Sequence, residues 1–224
     1  MDRILITGAL GQLGIEFIDH FKKLNSFVLA TDIKNPKEKL SCEFELANVL
    51  DKDKMDSLVK KYNINVIYHL VAILSANGEK DPFISWKLNM NSFQNIAQIS
   101  IENKIKKIFW PSSIAIFGTE SNLNFVSQNP LMNPTTIYGI TKLAGEKLME
   151  YYFNKFGLDI RSLRYPGIIS TKTVPGGGTT DYVIEMLNAA KKGNDYVCFL
   201  SENTELPMMY ICLLYTSPSP RDKH

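Results

Sequence analysis

Cysteine is scarce: Cys42, Cys198 and Cys212 are odd in number and widely spaced, with no CxxC pair among them. That pattern excludes a disulfide frame and offers no zinc-ligand spacing, so a reducing compartment and no metal are expected. The thiols read as small packed or incidental side chains. An excess of one charge is also missing. The 25 Lys and Arg and 23 Asp and Glu give a formal net charge of +2 and are interspersed, which leaves no basic stripe for nucleic acid. No uncharged apolar run reaches the roughly 18 residues that a membrane span requires. The chain enters Arg3-Ile4-Leu5-Ile6-Thr7 at once, leaving no room for a signal or transit peptide, so the expected location is cytoplasmic. No internal repeat of solenoid length is found.

What is present is an ordinary globular composition, 45% hydrophobic and 21% charged, enough to bury a core. Apolar β-branched runs alternate with segments of helical period. Strands are expected at about 3 to 7, 27 to 31, 65 to 72, Lys107 to Trp110 and 159 to 164; helices at about 12 to 24, 51 to 62, from Pro82 to about Asn103, and 136 to 156 with Gly157 as its stop. A Ser, Asn and Pro-rich loop covers about 113 to 134, and a helix at 179 to 192 and a short strand near 195 to 200 follow. Strands buried beneath helices on both faces predict an α/β fold, a doubly wound and mostly parallel sheet.

The first strand runs into Thr7-Gly8-Ala9-Leu10-Gly11-Gln12-Leu13-Gly14, which then opens a helix. A dinucleotide pyrophosphate needs backbone N–H groups at a helix N-terminus. Gly8 suits a tight turn, Gly11 a close approach and Gly14 close helix–strand packing. The second strand ends at Asp32, 18 positions after Gly14, where a carboxylate can accept from ribose hydroxyls and repel a 2′-phosphate; NAD is thus favoured over NADP. Asn48-Val49 can cap a helix or sit near the adenine.

Tyr138 and Lys142 stand at i and i+4 on one helix face. A cation favours the phenolate, turning tyrosine into a base for a substrate hydroxyl. Ser112-Ser113 ends the strand Ile108 to Trp110 and precedes Ile114-Ala115-Ile116-Phe117-Gly118, and strand ends carry ligands in such sheets. His69, within an apolar strand, reads as a packed core histidine, and Trp86 and Phe93 as core or helix-interface residues.

The combination TGxxGxxG, Ser-Ser-x-x-x-aromatic-Gly and YxxxK resembles the extended short-chain dehydrogenase/reductases, the NAD-dependent epimerase/dehydratase superfamily. Trp110 to Ala115, Ile137 to Lys142, Arg164-Tyr165-Pro166-Gly167, Pro175-Gly176-Gly177-Gly178-Thr179-Thr180-Asp181-Tyr182 and Leu206 to Tyr210 together are most similar to the short-chain type of L-threonine 3-dehydrogenase. The resemblance implies Ser113, Tyr138 and Lys142 as the catalytic set. It adds Gln12, Leu13, Ile33, Leu70, Ala72, Asn89 and Tyr165 to Gly8, Gly11, Gly14, Asp32, Asn48, Val49, Tyr138 and Lys142 as cofactor contacts. The implied substrate is a small amino acid held by Ser75, Ser112, Ser113, Tyr138, Thr179 and Thr180, and a homodimer through the long helices is implied as well. Ser75 has a solvated loop serine as its alternative, and the triple glycine a hinge, which is compatible with closure over substrate. A nucleotide-sugar epimerase or dehydratase, or a non-catalytic NAD-binding protein, shares the cofactor residues. The expected organisation is an NAD-binding domain over 1–170, a partial substrate region over 171–210, and a non-native or disordered tail over 211–224 with two prolines and no period.

Overall fold

A computed structural model describes residues 2–118, 127, 130–170, 172, 176, 178 and 180–216. The chain begins β1 (Arg3–Thr7), α1 (Gln12–Lys23), β2 (Phe27–Asp32), β3 (Glu43–Leu46), α2 (Lys52–Lys61) and β4 (Val66–His69). Next come α3 (Ser75–Gly78), α4 (Pro82–Trp86), a π-helical turn (Lys87–Asn91), α5 (Ser92–Glu102), β5 (Lys107–Phe109) and β6 (Ser112–Ser113), with a 3₁₀ turn at Ile114–Ile116. After α6 (Ile137–Phe156) follow β7 (Ile160–Arg161), β8 (Arg164–Tyr165), β9 (Gly167–Ile169), α7 (Tyr182–Lys191), β10 (Met208–Tyr210) and α8 (Leu213–Thr216).

The main sheet is six-stranded, in the order β3-β2-β1-β4-β5-β7, with every pairing parallel. Both faces are covered, as expected for a doubly wound sheet. Ile4, Ile6, Val28 and Ala30 pack with Phe17, Ile18 and Phe21 of α1 on one side. Leu5, Leu29, Ile67 and Ile108 pack with Met55, Leu58 and Val59 of α2 and Ile96 and Ile99 of α5 on the other. This alternation buries successive residues of one strand against opposite helix layers. The order reverses between β1 and β4, and the crevice beyond those strand ends is where doubly wound sheets receive ligands.

Two short ladders continue past that crevice. β6 pairs with β8 and β9 with β10, so the expected strand at 159 to 164 is two pieces serving different sheets. The strand expected near 195 to 200 does not form. Val197 and Phe199 there face solvent, 89% and 68% exposed, and β9 pairs instead with Met208–Tyr210. The long helix after Pro82 forms as a single run interrupted by the π turn. Asp81 caps its start by accepting from the Ile84 N–H at 2.9 Å. Ile211 is buried and donates its N–H to the Ile169 carbonyl at 2.9 Å; residues 217–224 lie outside the described residues. No described helix is long and apolar enough to cross a membrane.

Candidate active site

The turn after β1 is built on glycine for two separate reasons. Gly8 has φ +68°, a left-handed conformation that side-chain-bearing residues avoid. Gly14 packs so closely on the turn that a Cβ there would lie 2.6 Å from the Ala9 carbonyl carbon. Among the described residues no side chain caps α1 at Gly11, and a Cβ on Gly11 would meet only the Gly8 carbonyl, 3.3 Å away. An open helix N-terminus beside a Cβ-free cradle suits the pyrophosphate of a dinucleotide. Asp32, at the end of β2, accepts from the Leu10 N–H at 3.1 Å and the Ile33 N–H at 2.8 Å. Its carboxylate therefore stands beside the glycine turn.

One cavity of about 550 Å³ is lined by Gly8, Gly11, Gln12, Leu13, Gly14, Leu70, Ala72, Ser75, Ser112, Ser113, Tyr138, Lys142, Tyr165 and Thr180. The glycine turn and the three proposed catalytic side chains thus open onto the same space. Of the other residues singled out above, Asp32, Ile33, Asn48, Val49 and Asn89 are not on that lining. Asn48 accepts from the Leu50 N–H at 3.0 Å, an Asx turn, while Asp51 caps α2 through the Lys54 N–H. Val49 is buried in the core. Asn89, in the π turn, accepts from the Ile73 N–H at 2.8 Å and donates to the Ile73 carbonyl and the Thr141 hydroxyl at 3.2 Å each. It ties the segment after β4 to α6. Thr179 lies outside the described residues.

Helix α6 places Tyr138 and Lys142. Thr136 caps it by accepting from the Gly139 N–H at 3.1 Å, and Gly157 ends it at φ +66°. Lys142 is only 3% exposed. It donates to the Pro111 carbonyl at 2.7 Å, and its Nζ stands 4.1 Å from the centre of the Trp110 ring and 5.5 Å from that of Tyr138. Burial lowers the Lys142 ammonium to about 7. Burial likewise raises the Tyr138 phenol, and a hydrogen bond with the Ser113 side chain draws it partly back. The expected lowering by a neighbouring cation is thus not what sets this phenol: desolvation dominates, and the Ser113 hydrogen bond is what opposes it.

Ser113 also accepts from the Ala115 N–H at 3.2 Å. Ser112 lines the cavity, but its hydroxyl donates to Glu146 at 2.6 Å. Glu146 further accepts from Arg164 Nε at 3.0 Å and Nη2 at 2.8 Å. Burial pushes the Glu146 carboxyl up, yet the hydrogen bonds from Arg164 and Ser112 win and hold it below the usual carboxylate range. His69 is fully buried between Thr7 and Ser92, its ring nitrogens 2.7 and 3.0 Å from their hydroxyls. Burial first, then the charge of Lys142, pushes it down to about 3. It is a core histidine.

The far wall of the cavity includes Leu74, Pro166, Gly167, Ile168, Gly176, Gly178, Asp181, Leu206 and Pro207. Asp181 accepts from the Gly178 N–H at 2.8 Å, fixing the turn that leads into α7. Most of these residues stand in the strings quoted from the sequence, yet only Thr179 and Thr180 were singled out there. The omission of Asp181 and of Leu206-Pro207 reflects long-range packing, which those strings do not encode.

The model of the NAD dependent epimerase/dehydratase family matches residues 4–211. An uncharacterised epimerase/dehydratase of Staphylococcus saprophyticus is 42% identical over 216 residues, which is 94% of this chain and 67% of the relative. Among solved structures, a partial consensus L-threonine 3-dehydrogenase is similar with TM-score 0.93 and 42% identity, covering 96% of this chain and 70% of that one. A GalE-like L-threonine dehydrogenase of Cupriavidus necator in its holo form is similar with TM-score 0.90 and 39% identity, over 97% of this chain and 73% of that one.

Proposed function

The chain belongs to the NAD dependent epimerase/dehydratase family, and from that membership we propose that it oxidises L-threonine at the 3-hydroxyl, with NAD, to 2-amino-3-oxobutyrate. The observation that carries this reading is the single cavity shared by the glycine turn, Ser113, Tyr138 and Lys142. The likeness to L-threonine dehydrogenases at 39% and 42% identity supports the choice of substrate.

Tyr138, once it has released its own proton, takes the proton from the substrate hydroxyl as a phenolate, and Ser113 orients that hydroxyl. The phenol is buried and raised, so the phenolate that must stand ready before the transfer needs stabilisation. The Ser113 hydrogen bond and the nearby Lys142 charge supply it. NAD, when bound, provides the acceptor for the hydride that leaves the threonine Cβ. The glycine turn would hold its pyrophosphate, Asp32 its adenosine ribose and Lys142 its nicotinamide ribose, and Leu70, Ala72 and Tyr165 wall the same space. Ser75, Thr179, Thr180 and the N–H groups that open α7 receive the carboxylate of the amino acid. Leu74, Pro166 and Pro207 exclude water, which strengthens each of these interactions.

A second reading, epimerisation or dehydration of a nucleotide-bound sugar, is favoured by the name of the Staphylococcus relative. Incubating the purified chain with NAD and either L-threonine or UDP- and dTDP-sugars separates the two. NADH formation with threonine, lost in Tyr138→Phe, is the expected result; turnover of a sugar nucleotide alone would reject the proposal. For assembly, we propose pairing of two copies through α4 and α6, where Phe83 is 86% and Phe153 60% exposed. A monomer in sedimentation at micromolar concentration would contradict it.

A further inference from the structure

Lys142 is a buried cation without a carboxylate. Among the described residues none forms an ion pair with it: Glu146, one turn further along α6, is taken by Arg164 and Ser112. The titratable groups facing it are uncharged, His69 from β4 and Tyr138 from α6. Its polar contact is the Pro111 carbonyl. What remains is the face of Trp110, 4.1 Å from the ammonium nitrogen.

That indole is held rigidly. Trp110 is 1% exposed and its ring centre lies 4.8 Å from that of Phe93. α6 also passes so close that a Cβ on Gly145 would fall 2.6 Å from the Trp110 Cζ3. Glycine at 145 lets the helix settle on the ring, and this settling brings Lys142, three residues earlier, over the π face. We propose that Trp110 is a positioning residue for Lys142, holding its ammonium by a cation–π contact where other proteins use a carboxylate.

The chemistry gives a reason for the choice. A carboxylate would also stabilise the ammonium, but its negative charge would cancel the positive field at the Tyr138 oxygen. An aromatic quadrupole attracts the cation without bringing net charge. Trp110 therefore favours the protonated form of Lys142 against its burial while leaving its field available to the phenol. The functional meaning rests on the proposed role of Lys142 beside Tyr138; the contact itself is testable without turnover.

The experiment uses the full chain, free of ligands and labelled with ¹³C-lysine. Lys142 is assigned by the signal lost in Lys142→Met, and its εCH₂ resonance is followed with pH. The expected wild-type signal is moved upfield by the indole ring current and titrates near 7. In Trp110→Phe, which keeps an aromatic face, part of the upfield shift persists. In Trp110→Leu it is lost and the midpoint falls by about one pH unit, a tenfold weaker hold on the proton. A wild-type signal at the ordinary lysine position, or one midpoint common to wild type and Trp110→Leu, would overturn the proposal. If Trp110→Leu does not fold, the ring-current displacement in wild type and Trp110→Phe still decides it. Absence of threonine turnover in the NADH assay would instead reject the functional reading and leave this contact standing.

Discussion

Gly145→Ala sets two ordinary effects against each other. In an exposed helix interior, replacing glycine by alanine stabilises by about 1 kcal/mol through helix propensity. At Gly145 the new Cβ would lie 2.6 Å from Trp110 Cζ3, 3.0 Å from Cζ2, and nearer still to Cη2. The ring has little room to retreat, because it is fully buried and packed against the fully buried Phe93, whose ring centre lies 4.8 Å from its own. Overpacking of this kind costs about 1 to 3 kcal/mol, and contact with three ring atoms puts it at the upper end. The net is a loss of about 1 to 2 kcal/mol, which for a chain of this size lowers Tm by roughly 3 to 6 °C. Calorimetry on wild type, Gly145→Ala, Trp110→Phe and the double variant checks both the sign and the cause. Phenylalanine lacks the outer ring of the indole, so the two substitutions should be less damaging together than their sum. A Tm for Gly145→Ala equal to or above wild type, or strict additivity, would refute the packing of α6 on Trp110.

Gly14→Ala should weaken NADH binding, read by cofactor fluorescence, at least tenfold, because its Cβ would collide with the Ala9 carbonyl and deform the turn; unchanged affinity would contradict the assigned phosphate site. Lys142→Met should stabilise the ligand-free chain by on the order of 2 kcal/mol near neutral pH. The sign follows from a folded-state ammonium lowered from 10.5 to about 7. Between those values the unfolded chain holds a proton that the folded one has lost, so wild-type stability rises with pH across the window. The advantage of the methionine variant should accordingly be full below pH 7 and fade toward 10.5, as urea titrations at several pH values would record. Glu146→Gln should lower kcat about tenfold with little change in NADH affinity, since the Ser112 and Arg164 contacts it weakens lie behind the strand carrying Ser113. An equal effect in a Ser113→Ala background would show that Glu146 does not act through Ser113.

The features legible in the sequence are those fixed by local geometry. A strand, a glycine turn and a helix N-terminus are contiguous, so Gly8, Gly11 and Gly14 could be placed from their spacing alone. Tyr138 and Lys142 are one helical turn apart, and Thr136 and Gly157 bracket their helix at the expected ends. Less could be read where polar and apolar residues serve distant partners. β3 carries Glu43 and Glu45 at an exposed sheet edge and lacks a strong apolar run. Met208–Tyr210 earns its strand from β9, some 40 positions earlier, while the more hydrophobic stretch near 195 to 200 pairs with no strand among the described residues. Asn48 looked like the helix cap because it precedes an amphipathic segment, but Asp51 holds that place. The π turn around Asn89 and the seat of Lys142 on Trp110 both arise from tertiary packing, and no spacing rule announces either.

The measurement that bears most directly on the central claim is isotope transfer. With L-threonine deuterated at Cβ, the account predicts that NADH formed by the wild-type chain carries the deuterium and forms more slowly than with unlabelled substrate. It further predicts that Tyr138→Phe binds NADH normally yet forms none. NADH without deuterium, or undiminished formation in Tyr138→Phe, would contradict it.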